Sequence, residues 1–403
     1  MGEDSIVVLK FGGSVLESQS SIEKICKIIE ETARKGKQIV VVVSAMKGVT
    51  DDLLILSKQL GYGKDPSFLD ELLSAGERIA AKNFCSSLKR LGIECIVVEP
   101  GSKYWPIMTD SNHQDANPDI QLTRSEVRKK IIPLLKKGVV PVVCGFLGVT
   151  KDGKVTTLGR GGSDTTAVIL GSCLNAREVV LVKDVKGVYS TDPDLIEDPI
   201  PIGRLEASEA GILASSGAKF LHSKALRYAD SNIRIRVTSL ENLDSGTVIE
   251  GQIPELEVSA EREKIEMLTI ILKEGDGFDV IRAIGEIISR KGGKIVSTAQ
   301  LGNSVIVYCT ELDGIEREVH SSLIVTGKAK ALSSFKDVSM ITVRGKALET
   351  RPGLIQRITQ PLARNKINIL GIVTIFSSIR LFVSSSSSNE AAELIKEALD
   401  DLA

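Results

Sequence analysis

From its start to about residue 250 the chain alternates short apolar runs with amphipathic stretches. The apolar runs predict strands at Ile6–Lys10, Gln38–Ser44, Glu94–Val98, Val139–Gly145, Glu178–Lys183 and Ile233–Val237. Between them, apolar positions at helical spacing predict helices over Ser21–Lys35, Ser67–Leu91 and Thr123–Lys137. The segments QIVVVVSAM and GVVPVVCGFLGV are too short to span a bilayer and read as strands buried on both faces. This alternation predicts an α/β fold with a mainly parallel sheet between helices and a ligand crevice along one sheet edge.

From Ser239 to Lys264 the pattern loosens into turn-rich and charged sequence, the expected domain junction. Beyond it the chain repeats itself. Met267-Leu-Thr-Ile-Ile-Leu leads to a Gly-Asp-Gly turn, a helix and the strands KIVSTA and SVIVYC; Met340-Ile-Thr-Val leads to Arg-Pro-Gly, a helix, INILGIV and IRLFVS, then a last helix from Asn389. Each copy reads βαββ with a closing helix, an α+β unit of ferredoxin-like pattern. The expected division is 1–255, 256–333 and 334–403. Pro361 falls inside a predicted helix, where proline costs about 3 kcal/mol or a kink, so a bend is expected. The serine run Ser384–Ser388 reads as a polar loop.

Composition narrows the function. Among 403 residues, 51 basic side chains nearly balance 52 acidic ones, giving a net charge of -1 and no field for nucleic acid or an acidic membrane. An anionic ligand must therefore be held by a local site. The N-terminus MGEDSIVVLK lacks the basic and apolar regions of a secretion signal, and a cytoplasmic protein is expected. The six cysteines are dispersed without a CxxC pair and read as reduced buried thiols, and three scattered histidines make a histidine-based metal centre improbable.

Three stretches carry chemistry. The first strand runs into Lys10-Phe11-Gly12-Gly13-Ser14, where two glycines let backbone N–H groups approach an anion and the lysine supplies charge. A lysine before a Gly-Gly turn is more often simply solvated. The second, Gly159-Arg160-Gly161-Gly162-Ser163-Asp164, opens a helix predicted over Thr165–Asn175 with Ser163 or Asp164 as N-cap. Its free N–H groups and positive dipole end suit an anion, and Arg160 suits a carboxylate. The third, Lys183-Asp184-Val185-Lys186-Gly187-Val188-Tyr189, follows a buried strand and offers an aromatic and two cations, although a plain loop is as good a reading. The chain has neither GxGxxG nor GK[ST], so dinucleotide and P-loop readings have no support.

Taken in order, KFGGSV, VVVSAMKGVTDDL, LLSAGERIA, LGRGGSDTTA, KDVKGVYSTDP and GAKFLHSKAL resemble the aspartate kinases of the amino-acid kinase family, and the C-terminal repeats resemble that family's paired ACT domains. The resemblance spans essentially the whole chain. It implies transfer of the ATP γ-phosphoryl group to the β-carboxylate of L-aspartate, a first step toward lysine, threonine, methionine and isoleucine. By the match, Lys10 stabilises charge on the transferring phosphoryl with the amides of Gly12 and Gly13, and Asp164 organises Lys10 and the substrate. Arg160 takes the α-carboxylate and Glu77 the ammonium, while Ser44, Thr50 and Ser163 orient the β-carboxylate. Lys183, Asp184, Tyr189 and Lys219 line the ATP site, and Mg²⁺ is held mainly by phosphates and water. An amino-acid effector (lysine or threonine) at the ACT interface, with Gly277 and Phe278 in its loop, and at least a homodimer are further implications.

The chain also departs from that pattern. Asp194 stands after Thr-Asp-Pro where a basic residue is usual, with Lys183 the candidate to compensate, and Ser223 replaces a proline. In the repeats, Gln300-Leu301-Gly302 and Phe376-Ser377-Ser378 replace the usual Thr-Ser-Glu stretch, which leaves the effector open. Other readings are a kinase acting on glutamate, acetylglutamate or a nucleoside monophosphate, and an amino-acid sensor with a degenerate kinase lobe.

Overall fold

A computed structural model describes residues 6–61, 65–261, 263–273 and 277–400. The chain forms two compact units, Met1–Ile253 and Pro254–Ala403. The Gly275-Asp276 part of the expected turn lies outside the described residues.

All six predicted strands form and lie in the eight-stranded sheet of the first unit. Its order is Arg204–Glu206, Thr247–Glu250, Arg234–Ser239, Glu178–Lys183, Ile6–Phe11, Gln38–Val43, Val140–Cys144 and Cys95–Val98. Six of these strands run parallel; Thr247–Glu250 is antiparallel to Arg234–Ser239. The central strands are buried throughout because helices cover both faces, which is why they read as unbroken apolar runs. Lys10 is the exception in the first strand, level with Val42 on one side and Leu181 on the other.

Helix Ser67–Leu91 appears as Pro66–Arg90, capped by Asp65, whose carboxylate accepts from the N–H groups of Ser67 and Phe68. The predicted Thr123–Lys137 helix is two, Ile120–Lys130 and Ile132–Lys136, since Pro133 in the first turn of the second cannot continue the hydrogen-bond ladder. The helix after the glycine loop runs Gly162–Leu174 and is buried on all sides. Its N-cap is Gly161 at φ 67°, not Ser163 or Asp164: the glycine takes the left-handed turn, which frees Asp164 to point elsewhere.

One pair of cysteines departs from the reduced-thiol reading. The turn through Gly92, at φ 76°, folds Cys95 back onto the last turns of the Pro66–Arg90 helix, where it forms a disulfide with Cys85 across 6.0 Å between Cα atoms. Cys26, Cys144, Cys173 and Cys309 are free and buried.

In the second unit the two repeats share one strand, Ala329–Arg344, 16 residues long. Its first part pairs with Ile265–Leu272 and its last part with Ser378–Val383. Strand Glu257–Ala260, which precedes the first repeat, pairs with Ile341–Arg344, and Val258 and Ala260 pack against the core of the second repeat. The Leu354–Arg364 helix runs on through Pro361 to Arg364. Between the repeats Tyr308 stacks on Phe382 at 3.8 Å and donates its hydroxyl proton to the Leu370 carbonyl. Phe382 is fully buried, so Phe382→Ala should destabilise this unit by roughly 3–5 kcal/mol, read as a lowered urea midpoint by circular dichroism. An unchanged midpoint would show that the stack carries no weight.

Candidate active site

The parallel strands end along one edge of the sheet, and residues at four of these ends lie there. Lys10 comes from the first strand, Ser44 follows the second, Gly145 follows Val140–Cys144, and Lys183 ends Glu178–Lys183. Lys10, Ser44 and Lys183 border a cavity of about 520 Å³, lined also by Thr50, Glu77, Arg160, Ser163 and Asp164.

The centre of this cavity is a buried ionic array. Asp164, in the first turn of the Gly162–Leu174 helix, puts one carboxylate oxygen 2.8 Å from the Lys10 ammonium and the other 2.7 Å from that of Lys183. Burial alone would raise the Asp164 pKa, but the two ammoniums override it and hold the carboxyl well below its ordinary range. Burial lowers the Lys10 pKa, with Lys183 adding to the effect and Asp164 opposing it. Two cations held by one anion leave a net positive charge facing the cavity, an arrangement that neutralises an incoming polyanion.

Close packing fixes the turns around the array. A Cβ on Gly13 would lie 2.5 Å from the Ala45 carbonyl, so only glycine lets this turn pass against the chain after the second strand. Gly12, whose Cβ would stand 3.5 Å from the Lys10 Nζ, donates its N–H to the Val182 carbonyl. Gly145 meets Ser163 in the same manner, at 2.6 Å.

Across the cavity, Gly76 brings the Pro66–Arg90 helix against Ala45, and Glu77 follows it. One Glu77 oxygen accepts from the Ala45 N–H at 3.3 Å; the other is buried with no hydrogen-bond partner among the described residues. Burial pushes its pKa up to about 7. This carboxylate awaits a cation, and Arg160, exposed on the glycine loop of the same cavity, awaits an anion. Together they suit the two ends of an amino acid.

The model of the amino acid kinase family matches residues 5–239. The chain belongs to the amino acid kinase family. Its likeness to one branch extends further: it is 32% identical to an aspartokinase of Corynebacterium glutamicum, covering 98% of this chain and 96% of that one. The crystal structure of aspartate kinase from Synechocystis matches with a TM-score of 0.76 at 24% identity, over 98% of this chain and 69% of that one. That of E. coli aspartokinase III in complex with aspartate and ADP matches at 0.57 and 21% identity, over 98% and 100%. These two likenesses speak for the fold, an α/β kinase unit followed by ferredoxin-like repeats. Among the described residues no helix is long and apolar enough to cross a membrane.

Not every residue expected of the family gathers at this cavity. Asp184 and Tyr189 lie beyond Lys183, outside its lining, and Lys219 is exposed with Asp192 at 3.4 Å and Asp194 at 3.8 Å. Asp194 thus faces Lys219. In the second unit Gly277 opens a helix and Phe278 is exposed.

Other residues were not foreseen. Asp70 is fully buried and accepts from the Thr157 hydroxyl at 2.7 Å and the Gln114 N–H, with His113 Nδ1 at 2.7 Å. Its spacing of seven from Glu77 puts both on one helix face, a signal the sequence did carry. In the segment where the family resemblance singles out the exposed Lys219, the buried cation is Lys224.

The Glu77 shift makes stability depend on pH. In the unfolded chain this carboxyl ionises near its ordinary 4.5, in the folded one near 7, so between these values the folded state holds a proton that the unfolded state releases. Stability therefore falls as pH rises through that window, by on the order of 3 kcal/mol for this group. Glu77→Gln should melt higher than the parent at pH 8 and equally at pH 4; equal melting at pH 8 would contradict the buried, unpaired charge.

Proposed function

We propose that this chain is an aspartate kinase, transferring the ATP γ-phosphoryl group to the β-carboxylate of L-aspartate to give 4-phospho-L-aspartate. The observation that carries the reading is the pairing, in one cavity, of the Lys10–Asp164–Lys183 array with the buried Glu77 carboxylate, one oxygen of which has no partner among the described residues. The first suits a triphosphate and the second the ammonium of an amino acid.

The reaction needs no general base. A carboxylate is already ionised at neutral pH; its oxygen attacks the γ-phosphorus, the bond to the β–γ bridging oxygen breaks, and ADP leaves with the electron pair. Catalysis is then positioning and charge neutralisation. Asp164 fits that demand: with both oxygens on ammoniums and its pKa depressed, it organises cations and does not take protons.

In this reading Arg160 grips the α-carboxylate, Glu77 the ammonium, and Ser44, Thr50 and Ser163 orient the β-carboxylate. Lys10, with Gly13, meets the transferring phosphoryl; the Gly12 N–H, expected to join them, is instead engaged by the Val182 carbonyl. Lys183 meets the phosphates, while Asp184, Tyr189 and Lys219 border the rest of the nucleotide. Because Asp164 is engaged by two ammoniums, a magnesium ion fits on phosphate oxygens and water and not in a protein carboxylate cage. The reading extends to a cytoplasmic enzyme, where ATP is supplied, that is at least a homodimer. It also extends to an amino-acid effector (lysine or threonine) at the C-terminal repeats, with Gly277 and Phe278 in its loop.

ATP-dependent acyl phosphate formation, trapped as the hydroxamate, should appear with aspartate and not with glutamate or acetylglutamate. Turnover with none of the three by the folded protein would overturn the reading. Arg160→Ala should raise the KM for aspartate by about 10- to 100-fold, as truncating one partner of a charge pair does. An unchanged KM would remove Arg160 from this role.

A further inference from the structure

We propose that Lys224 is a positioning residue for the acceptor, holding the Gly159–Gly162 loop so that Arg160 stands at the distance from Glu77 that an α-amino acid requires. This rests on the aspartate kinase reading of the same cavity.

Lys224 lies on the short Ser223–Leu226 helix and is 4% exposed. A buried ammonium is costly unless its protons are met, and here all three have acceptors. Its Nζ donates to Asp115 Oδ1 at 2.5 Å, the Ala116 carbonyl at 3.1 Å and the Leu158 carbonyl at 2.9 Å. Leu158 immediately precedes Gly159 and Arg160, so this ammonium fixes the root of the loop. Lys224 is absent from the cavity lining, and its influence on a ligand must pass through that loop.

The same chain segments are also gripped by Asp70. Its carboxylate takes the Thr157 hydroxyl and the Gln114 N–H, and the Ala116 N–H closes onto the Thr157 carbonyl at 2.9 Å. Asp70 stands two helical turns before Glu77 on the same helix. A continuous path of buried polar contacts therefore runs from the helix that bears Glu77, through Asp70, Thr157 and Leu158, to Lys224 and the base of Arg160.

The loop has little room to relax. A Cβ on Gly159 would lie 2.5 Å from Asp115 Oδ1, and one on Gly161 would collide with His222, two residues before Lys224. Removing the ammonium orphans two carbonyls and releases Asp115, which lets the loop and the Arg160 fork shift. Asp164 follows this loop in the Gly162–Leu174 helix, but it is pinned by its own ion pairs to Lys10 and Lys183 on two buried strands, so the array stays in place. The effect should thus fall on the amino acid and not on ATP.

Steady-state kinetics with aspartate and ATP varied separately test this in Lys224→Met, Lys224→Arg and Asp115→Asn. Lys224→Met should raise the KM for aspartate by about tenfold or more, with kcat and the KM for ATP within about threefold, since small misplacements of a positioning group are costly. Lys224→Arg, which keeps donors, should recover part of the loss. Asp115→Asn, at an exposed position, should show a smaller rise of the same kind, and it decides the matter if Lys224→Met does not fold. An unchanged KM for aspartate, or equal rises in both KM values with a fall in kcat, would overturn the assignment. Absence of aspartate turnover in the parent enzyme would instead overturn the functional reading beneath it.

Discussion

Everything at the sheet edge depends on one carboxylate, Asp164, set between two ammoniums. Without it, Lys10 and Lys183 would face each other in a poorly solvated cavity, where like charges repel strongly. With it, two cations are held within 3 Å of one anion, at 2.8 and 2.7 Å, on three different elements. The fold exists to deliver them. Parallel strands place both lysines at neighbouring strand ends, and a left-handed glycine starts the helix early enough for its third residue to reach them both. A buried network of this kind is stable only when complete.

The acceptor side of the cavity follows the opposite logic. Glu77 is buried with no cation against it among the described residues, and the protein carries the cost as a raised pKa. Such a local violation of good packing is expected where a ligand completes the arrangement. The contrast between a satisfied charge cluster and an unsatisfied carboxylate divides the cavity into a phosphate side and an amino-acid side.

Much of this was legible in the sequence, for reasons particular to its elements. The six parallel strands were visible because burial on both faces writes an unbroken apolar run, and the glycine loops because close backbone approach forbids other residues. What escaped depends on contacts between distant segments. Asp70 and Lys224 each satisfy groups 40 or more residues away, and nothing near them in sequence announces it. The strand Glu257–Ala260 is too short and polar to reveal that its partner lies some 80 residues on, across an entire repeat. The Cys85–Cys95 bond needed the Gly92 turn to fold strand onto helix, and the N-cap shifted to Gly161 because a glycine's left-handed backbone outcompeted a side-chain cap.

The account stands or falls on the charge array as the phosphoryl-transfer centre. The most direct measurement is kcat for acyl phosphate formation by Lys10→Ala, with its fold checked by circular dichroism. Removing a preorganised charge that acts in the transition state should lower kcat by about 100- to 1,000-fold while the KM for aspartate changes little. A folded variant that turns over at close to the parent rate would contradict it, and the charge on the transferring group would have to be met elsewhere.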